Sequence, residues 1–281
     1  MPNIPRHRVD LDSVRKRVAV WAEDLSARLQ EARKDLLRCN GLRITASQYA
    51  GYLSVIEPGS PEICRALRLG AQSMAAVFSA ATATSAEVEV TLGEGPPARV
   101  AAQVARDLHD VGSWREGYFL AAICRETPLL DVLCRTPIDL LRQSSTRAEE
   151  YSYLFADALR SYWRREDEAP ERLLSALEAT DPDRLQPASR DYVLHVVVPQ
   201  MEMFYRLMLQ EEDGFNEALL KALEHHNRFW SDATDSRNRE ASAFIALGPL
   251  ALASFAHDAG LAVKVESDYL PGRLVDGDCK A

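Results

Sequence analysis

The sequence lacks the local signatures on which most catalytic and cofactor sites are built. Its 281 residues hold no G-x-S-x-G elbow, no G-x-x-x-x-G-K-[ST] or G-x-G-x-x-G phosphate loop and no H-E-x-x-H zinc motif. No Glu stands three residues before a His, so the half-sites of bundle-type di-iron proteins are missing. The six histidines read as structural: His225 and His226 are neighbours on one helix and point about 100° apart, which gives no bidentate grip. No C-x-x-C pair occurs either. The five cysteines (39, 64, 124, 134 and 279) are odd in number and widely spaced, and they read as reduced thiols of a cytoplasmic protein. The expectation is no metal, no cofactor and no catalytic residue.

Positive charge is also scarce. Lys and Arg number 33 against 42 Asp and Glu, a net charge of −9, which disfavours a generic binder of nucleic acid or anionic membrane and suits a basic protein partner. A membrane span needs about 20 apolar residues. The uncharged, strongly apolar segment 243–256 falls short of that, and the predicted segment is the core helix of a soluble protein. Residues 1–8 show no apolar run of the secretory type.

What the sequence does contain is helical periodicity. Val14, Val18, Trp21, Leu25, Leu29, Ala32 and Leu36 recur at threes and fours, which predicts one long amphipathic helix from Asp10 to a stop at Gly41. Thr45 is read as the start of a short helix to Val55. Ser60-Pro61-Glu62 then opens a helix rich in Ala, Gly and Ser, reaching about Ala81. The alternating run Glu87–Leu92 predicts a half-exposed strand, with Leu261–Glu266 as its expected partner. Ser113, Thr127-Pro128 and Thr136-Pro137 open further short helices. The second half reads as paired helices over 149–165, 171–179, 188–211 with a kink at Pro199, and 217–230 after a break at Asp213-Gly214. An E-x-L-L-x-A-L-E pattern occurs at both 171–178 and 217–224, a spacing within the range of helical-hairpin repeats, but two copies of a common amphipathic pattern read first as coincidence. The predicted fold is mostly α: a multi-helix body of packed helical hairpins with a small two- or three-stranded β element. It forms one domain over 1–281, or two fused lobes at 10–141 and 148–271 around the linker-like 142–147, with loose termini at 1–9 and 272–281. The aromatic set Tyr151, Tyr153, Tyr162, Trp163, Phe229 and Trp230 reads as core packing between helices, with a peptide groove as the alternative.

The C-terminal stretch carries a resemblance. Ala246-Leu247-Gly248-Pro249-Leu250-Ala251-Leu252-Ala253 is followed by Ala256-His257-Asp258-Ala259-Gly260. Next come Val263-Lys264-Val265-Glu266-Ser267-Asp268-Tyr269-Leu270-Pro271. Together with Trp163 and Trp230 at two helix ends, this order resembles the immunity protein 49 family of bacterial polymorphic toxin systems. The resemblance implies a mostly α-helical, non-enzymatic, cytoplasmic protein that neutralises a cognate toxin through protein–protein contact. It implies no cofactor, and the matched residues Gly248, Pro249, Leu250, Asp258, Gly260, Glu266, Asp268, Tyr269, Leu270, Pro271, Trp163 and Trp230 are expected to be structural. The toxin-binding surface is not legible. Two other classes stay open: a helical scaffold that binds a peptide or protein, and an enzyme with a pocket near His257, Asp258 and Asp268.

Overall fold

The computed structural model describes residues 2–102, 107–232 and 236–279. The protein is mostly α-helical with two small two-stranded sheets. A strand β1 (Asn3–Ile4) leads into α1 (Leu11–Ala32), whose N-terminus is capped by the Asp10 carboxylate. The long first helix ends earlier than its apolar period suggests. Asp35 is extended, with φ −150°, and its side chain accepts from Leu37 N, which opens a tight turn at Leu36–Arg38. α2 (Cys39–Ile56) then begins upstream of Thr45 and carries Gly41 inside it. Thr45 is not a helix start but a tie: its hydroxyl donates to Asp24 of α1 at 3.0 Å. α3 (Pro61–Ala81) matches its predicted span, and its small residues let α2 and α4 pack on two sides.

β2 (Glu87–Val90) pairs antiparallel with β3 (Ala98–Ala101), Glu87 facing Ala101 and Val90 facing Ala98. The expected partner, Leu261–Glu266, is elsewhere. Side chains of the later helix 212–230 satisfy its backbone: Asn216 donates to Ala262 O at 2.8 Å and accepts from Lys264 N at 2.6 Å, and Glu212 accepts from Ala262 N. A backbone already bonded to a helix has no ladder groups to offer a strand.

Consecutive helices of the body pack on one another. α4 (Val111–Ile123) pairs with α5 (Thr127–Arg135), and a short α6 (Ile138–Arg142) follows. Asp110, not Ser113, caps α4, and its carboxylate accepts from Ser113 N and Oγ at 2.9 and 2.6 Å. α7 (Glu150–Trp163) pairs with α8 (Ala169–Glu178). α9 (Pro187–Tyr192) runs through a π turn at Val193–Val197 into α10 (Val198–Met208), which pairs with α11 (Glu212–Trp230). Asp213-Gly214 lies within the first turns of α11 and does not break it. The three turns share one geometry. Arg125, Arg165 and Gln210 each adopt a left-handed φ of 55–57°. The residue after each is a glutamate whose N–H reaches back five residues, to Ala121, Ser161 and Arg206. The two E-x-L-L-x-A-L-E segments occupy α8 and α11, where they bury matching positions, Leu173 with Leu219 and Ala176 with Ala222.

α12 (Leu247–Asp258) packs against α4, α10 and α11. It is apolar nearly all round because it is covered nearly all round, with Leu250, Ala251, Leu252 and Ala253 fully buried. The segment Ala241–Asp258 is long and apolar enough by length and composition for a membrane span, but 72% of it is buried in the protein and Gly248-Pro249 stand at the start of the helix proper. One hydrophobic core runs from Ala32 to Val275, through both sides of the 142–147 loop.

The ends of the chain correct their expectations. β1 pairs in parallel with β4 (Glu266–Ser267), Asn3 facing Glu266. Arg6 N donates to Asp268 at 3.0 Å, and the Arg6 guanidinium reaches Phe244 O and Ser54. His7 N and Nδ1 both meet the Tyr269 hydroxyl, at 3.0 and 2.9 Å. Residues 2–9 are therefore a built arm. At the other end, α13 (Gly272–Val275) packs on α12, and Cys279 forms a disulfide with Cys64 of α3. The expectation of five reduced thiols holds for Cys39, Cys124 and Cys134 alone. Cysteine spacing along the chain could not show that residues 215 apart meet in space.

Candidate functional site: a cavity at the N-terminus of α12

A cavity of about 210 Å³ opens where α2, α4, α10 and the end of α11 meet the start of α12. Local sequence explains how it forms. The π turn, closed by Val198 N bonding to Val193 O, inserts one extra residue into the helix and turns the face that follows. Pro199 comes next, and Gln200 is delivered onto the first turn of α12. A Cβ on Gly248 would lie 2.4 Å from Gln200 Cδ and Oε1, so only glycine permits this approach. Gln200 is 8% exposed, and its amide lies against the first turn of α12.

Other polar groups border the same space. Trp230 Nε1 and Arg115 Nη1 are both buried without a partner among the described residues. Glu116 is held by the Arg43 guanidinium and by Ser47 Oγ, the latter at 2.7 Å. No side chain caps α12, so its N-terminal positive end faces the cavity unopposed. His226 forms part of the wall; its Nε2 lies 3.0 Å from Ala243 O, and burial holds its imidazole down to about 4.

The residues singled out in the sequence fall around α12 in three places. Gly248, Pro249 and Trp230 border the cavity, with Leu250 in the core behind them. At the far end of the helix, Asp258 receives Arg125, and Gly260, with φ +87°, ends the helix. Glu266, Asp268, Tyr269, Leu270 and Pro271 form the corner that receives the N-terminal arm. Trp163 donates to Asp131 at 2.8 Å and packs on Phe255.

The pocket suggested by His257, Asp258 and Asp268 does not assemble. Tyr269, next to Asp268, bonds to Ala246 at the start of α12, while His257 and Asp258 lie at its end, about 18 Å away for a helix of this length. The six aromatic residues line no common groove. Tyr162 and Trp163 pack with Phe255, whereas Phe229 packs with Tyr192 and Trp230. Three sulfurs, of Cys64, Cys124 and Cys279, come within 4.8 Å of one another, but two of them are joined as the disulfide.

Arg115, Glu116 and Gln200 were missed in the sequence. The available signal was a polar residue inside an apolar run, as Gln200 stands within Val196-Val197-Val198-Pro199-Gln200-Met201.

Fold and site together define a mostly helical protein with a lined cavity beside its central helix. Comparison with known families goes further: the chain belongs to the immunity protein 49 family, whose model matches residues 57–274. Proteins of this family are generally non-catalytic, and membership points to a toxin-immunity role with a toxin protein as partner. No curated protein and no solved structure matches the chain.

Proposed function

We propose that this protein neutralises a cognate bacterial toxin of a polymorphic toxin system by stoichiometric binding. The observation that carries the reading is the family match over residues 57–274. Physical features support it. A neutralising protein must bind tightly, and tight binding favours a surface that pays little ordering entropy on association. The arm over residues 2–9, the Tyr269 corner and the Cys64–Cys279 link fasten both ends of the chain to the body. A surface of roughly 800 Å² per partner suffices for a stable complex. The net charge of −9 would speed capture of a basic toxin.

The reduced-thiol argument for a cytoplasmic location fails at Cys64 and Cys279, because a disulfide persists in oxidising surroundings. A cytoplasmic site of action is therefore proposed from the immunity role alone. The test is co-expression with the toxin domain encoded beside this protein. The expected outcome is restored growth and a one-to-one complex on size exclusion. Absence of both overturns the proposal.

A further inference from the structure

The cavity at the start of α12 is lined by groups with hydrogen-bond donors to spare. Trp230 contributes an indole N–H and Arg115 a guanidinium N–H, each buried and unpartnered among the described residues. Gln200, more than nine-tenths buried, brings its amide up against Gly248 at the same wall. The uncapped N-terminus of α12 adds its dipole. Buried donors left without acceptors carry an uncompensated desolvation cost, which makes two of them on the wall of one cavity a mark of a ligand that accepts.

We infer that this cavity binds a carboxylate, gripped by Arg115, Trp230 Nε1 and the Gln200 amide over the N-terminus of α12. The charge balance selects the class. Arg43 and Glu116 neutralise each other, so Arg115 leaves one net positive charge at the wall. That matches a monoanion and leaves a phosphate dianion under-compensated. The guanidinium fork suits the planar carboxylate. Leu67, Phe119 and Val196 give the wall an apolar stretch that suits a short hydrocarbon stem. A volume of about 210 Å³ accommodates an Asp or Glu side chain or a small free carboxylic acid, and either would present the same group.

If the occupant is a side chain of the toxin, this inference rests on the immunity reading and supplies an anchor for it. The first experiment needs no toxin. ¹⁵N-labelled protein is titrated with acetate and, at equal ionic strength, with chloride, while the indole N–H resonances are followed; the Trp230 signal is assigned by its loss in W230F. The expected result is a saturable shift of the Trp230 indole with acetate and none with chloride, with affinity weakened about tenfold or more in R115Q. Folding of both variants is checked by circular dichroism. Should R115Q fail to fold, Q200L, which removes the amide and keeps the bulk, replaces it. Acetate and chloride giving the same response, or no response, overturns the site.

A second arm separates the sources. If acetate weakens the complex with the toxin and R115Q does the same, the carboxylate belongs to the toxin. If the complex forms unchanged while free acetate still binds, the ligand is a free carboxylate. Failure of the toxin complex in all forms refutes the immunity reading and leaves the acetate result standing.

Discussion

His226 shows how one buried side chain links position to pH. It is 4% exposed, beneath the Ala241–Ala243 turn, with its ring 4.7 Å from that of Tyr269. Burial lowers its pKa from 6.5 to about 4, and the nearby His7 and Arg6 add to the fall, against the bond to Ala243. The folded state therefore resists a proton that the unfolded chain accepts. This contribution is fully present above pH 6.5 and is lost as pH falls towards 4. The expected loss over that window is on the order of 3 kcal/mol. Urea midpoints of the wild type and H226Q, measured across the window, should converge as pH drops. His7, lowered in the same direction chiefly by burial, keeps part of the slope in the variant. Parallel curves would show that His226 titrates normally.

At the scale of elements, α12 is the piece against which the others are placed. It packs on α4, α10 and α11 and receives the C-terminal turn α13. Leu250 lies in its first turns and is fully buried. L250D would place a charge there without a partner, at a cost of several kcal/mol, comparable to the whole stability of a domain. The expected outcome is loss of the cooperative thermal transition by circular dichroism. A variant that melts cooperatively near the wild-type temperature would remove α12 from the core. The matching turns after α4, α7 and α10 make a related point. Each places a non-glycine residue in the left-handed region, which ordinary side chains enter at about 1 kcal/mol or more. The same hairpin turn thus recurs after three helices.

For the whole molecule, the strongest tie is between its ends. The Cys64–Cys279 disulfide closes a loop of 215 residues, and the arm at residues 2–9 bonds to the corner at 266–269. Closing so long a loop stabilises a fold by about 2–5 kcal/mol, mainly by restricting the unfolded chain. C279S should therefore unfold at lower urea than the wild type under non-reducing conditions. A reducing agent should bring the wild type down to the variant. If the reductant has no effect on the wild type, the bond is not formed in solution.

The sequence by itself determined the secondary structure of most segments, because helical and strand periods are local and apolar faces recur at fixed spacings. It pointed to 243–256 as core from its lack of charge, and the burial of most of that segment within the fold agrees. The Gly248–Pro271 order was also enough to carry the family resemblance. Tertiary structure decided the rest. The strand partner of Glu87–Val90 depended on Asn216 and Glu212 claiming the backbone of 262–264 first. The arm, the disulfide and the cavity each join residues far apart in the chain: His7 with Tyr269, Cys64 with Cys279, and Arg115 with Gln200 and Trp230. Such meetings depend on how the helices pack in space, which no local period encodes.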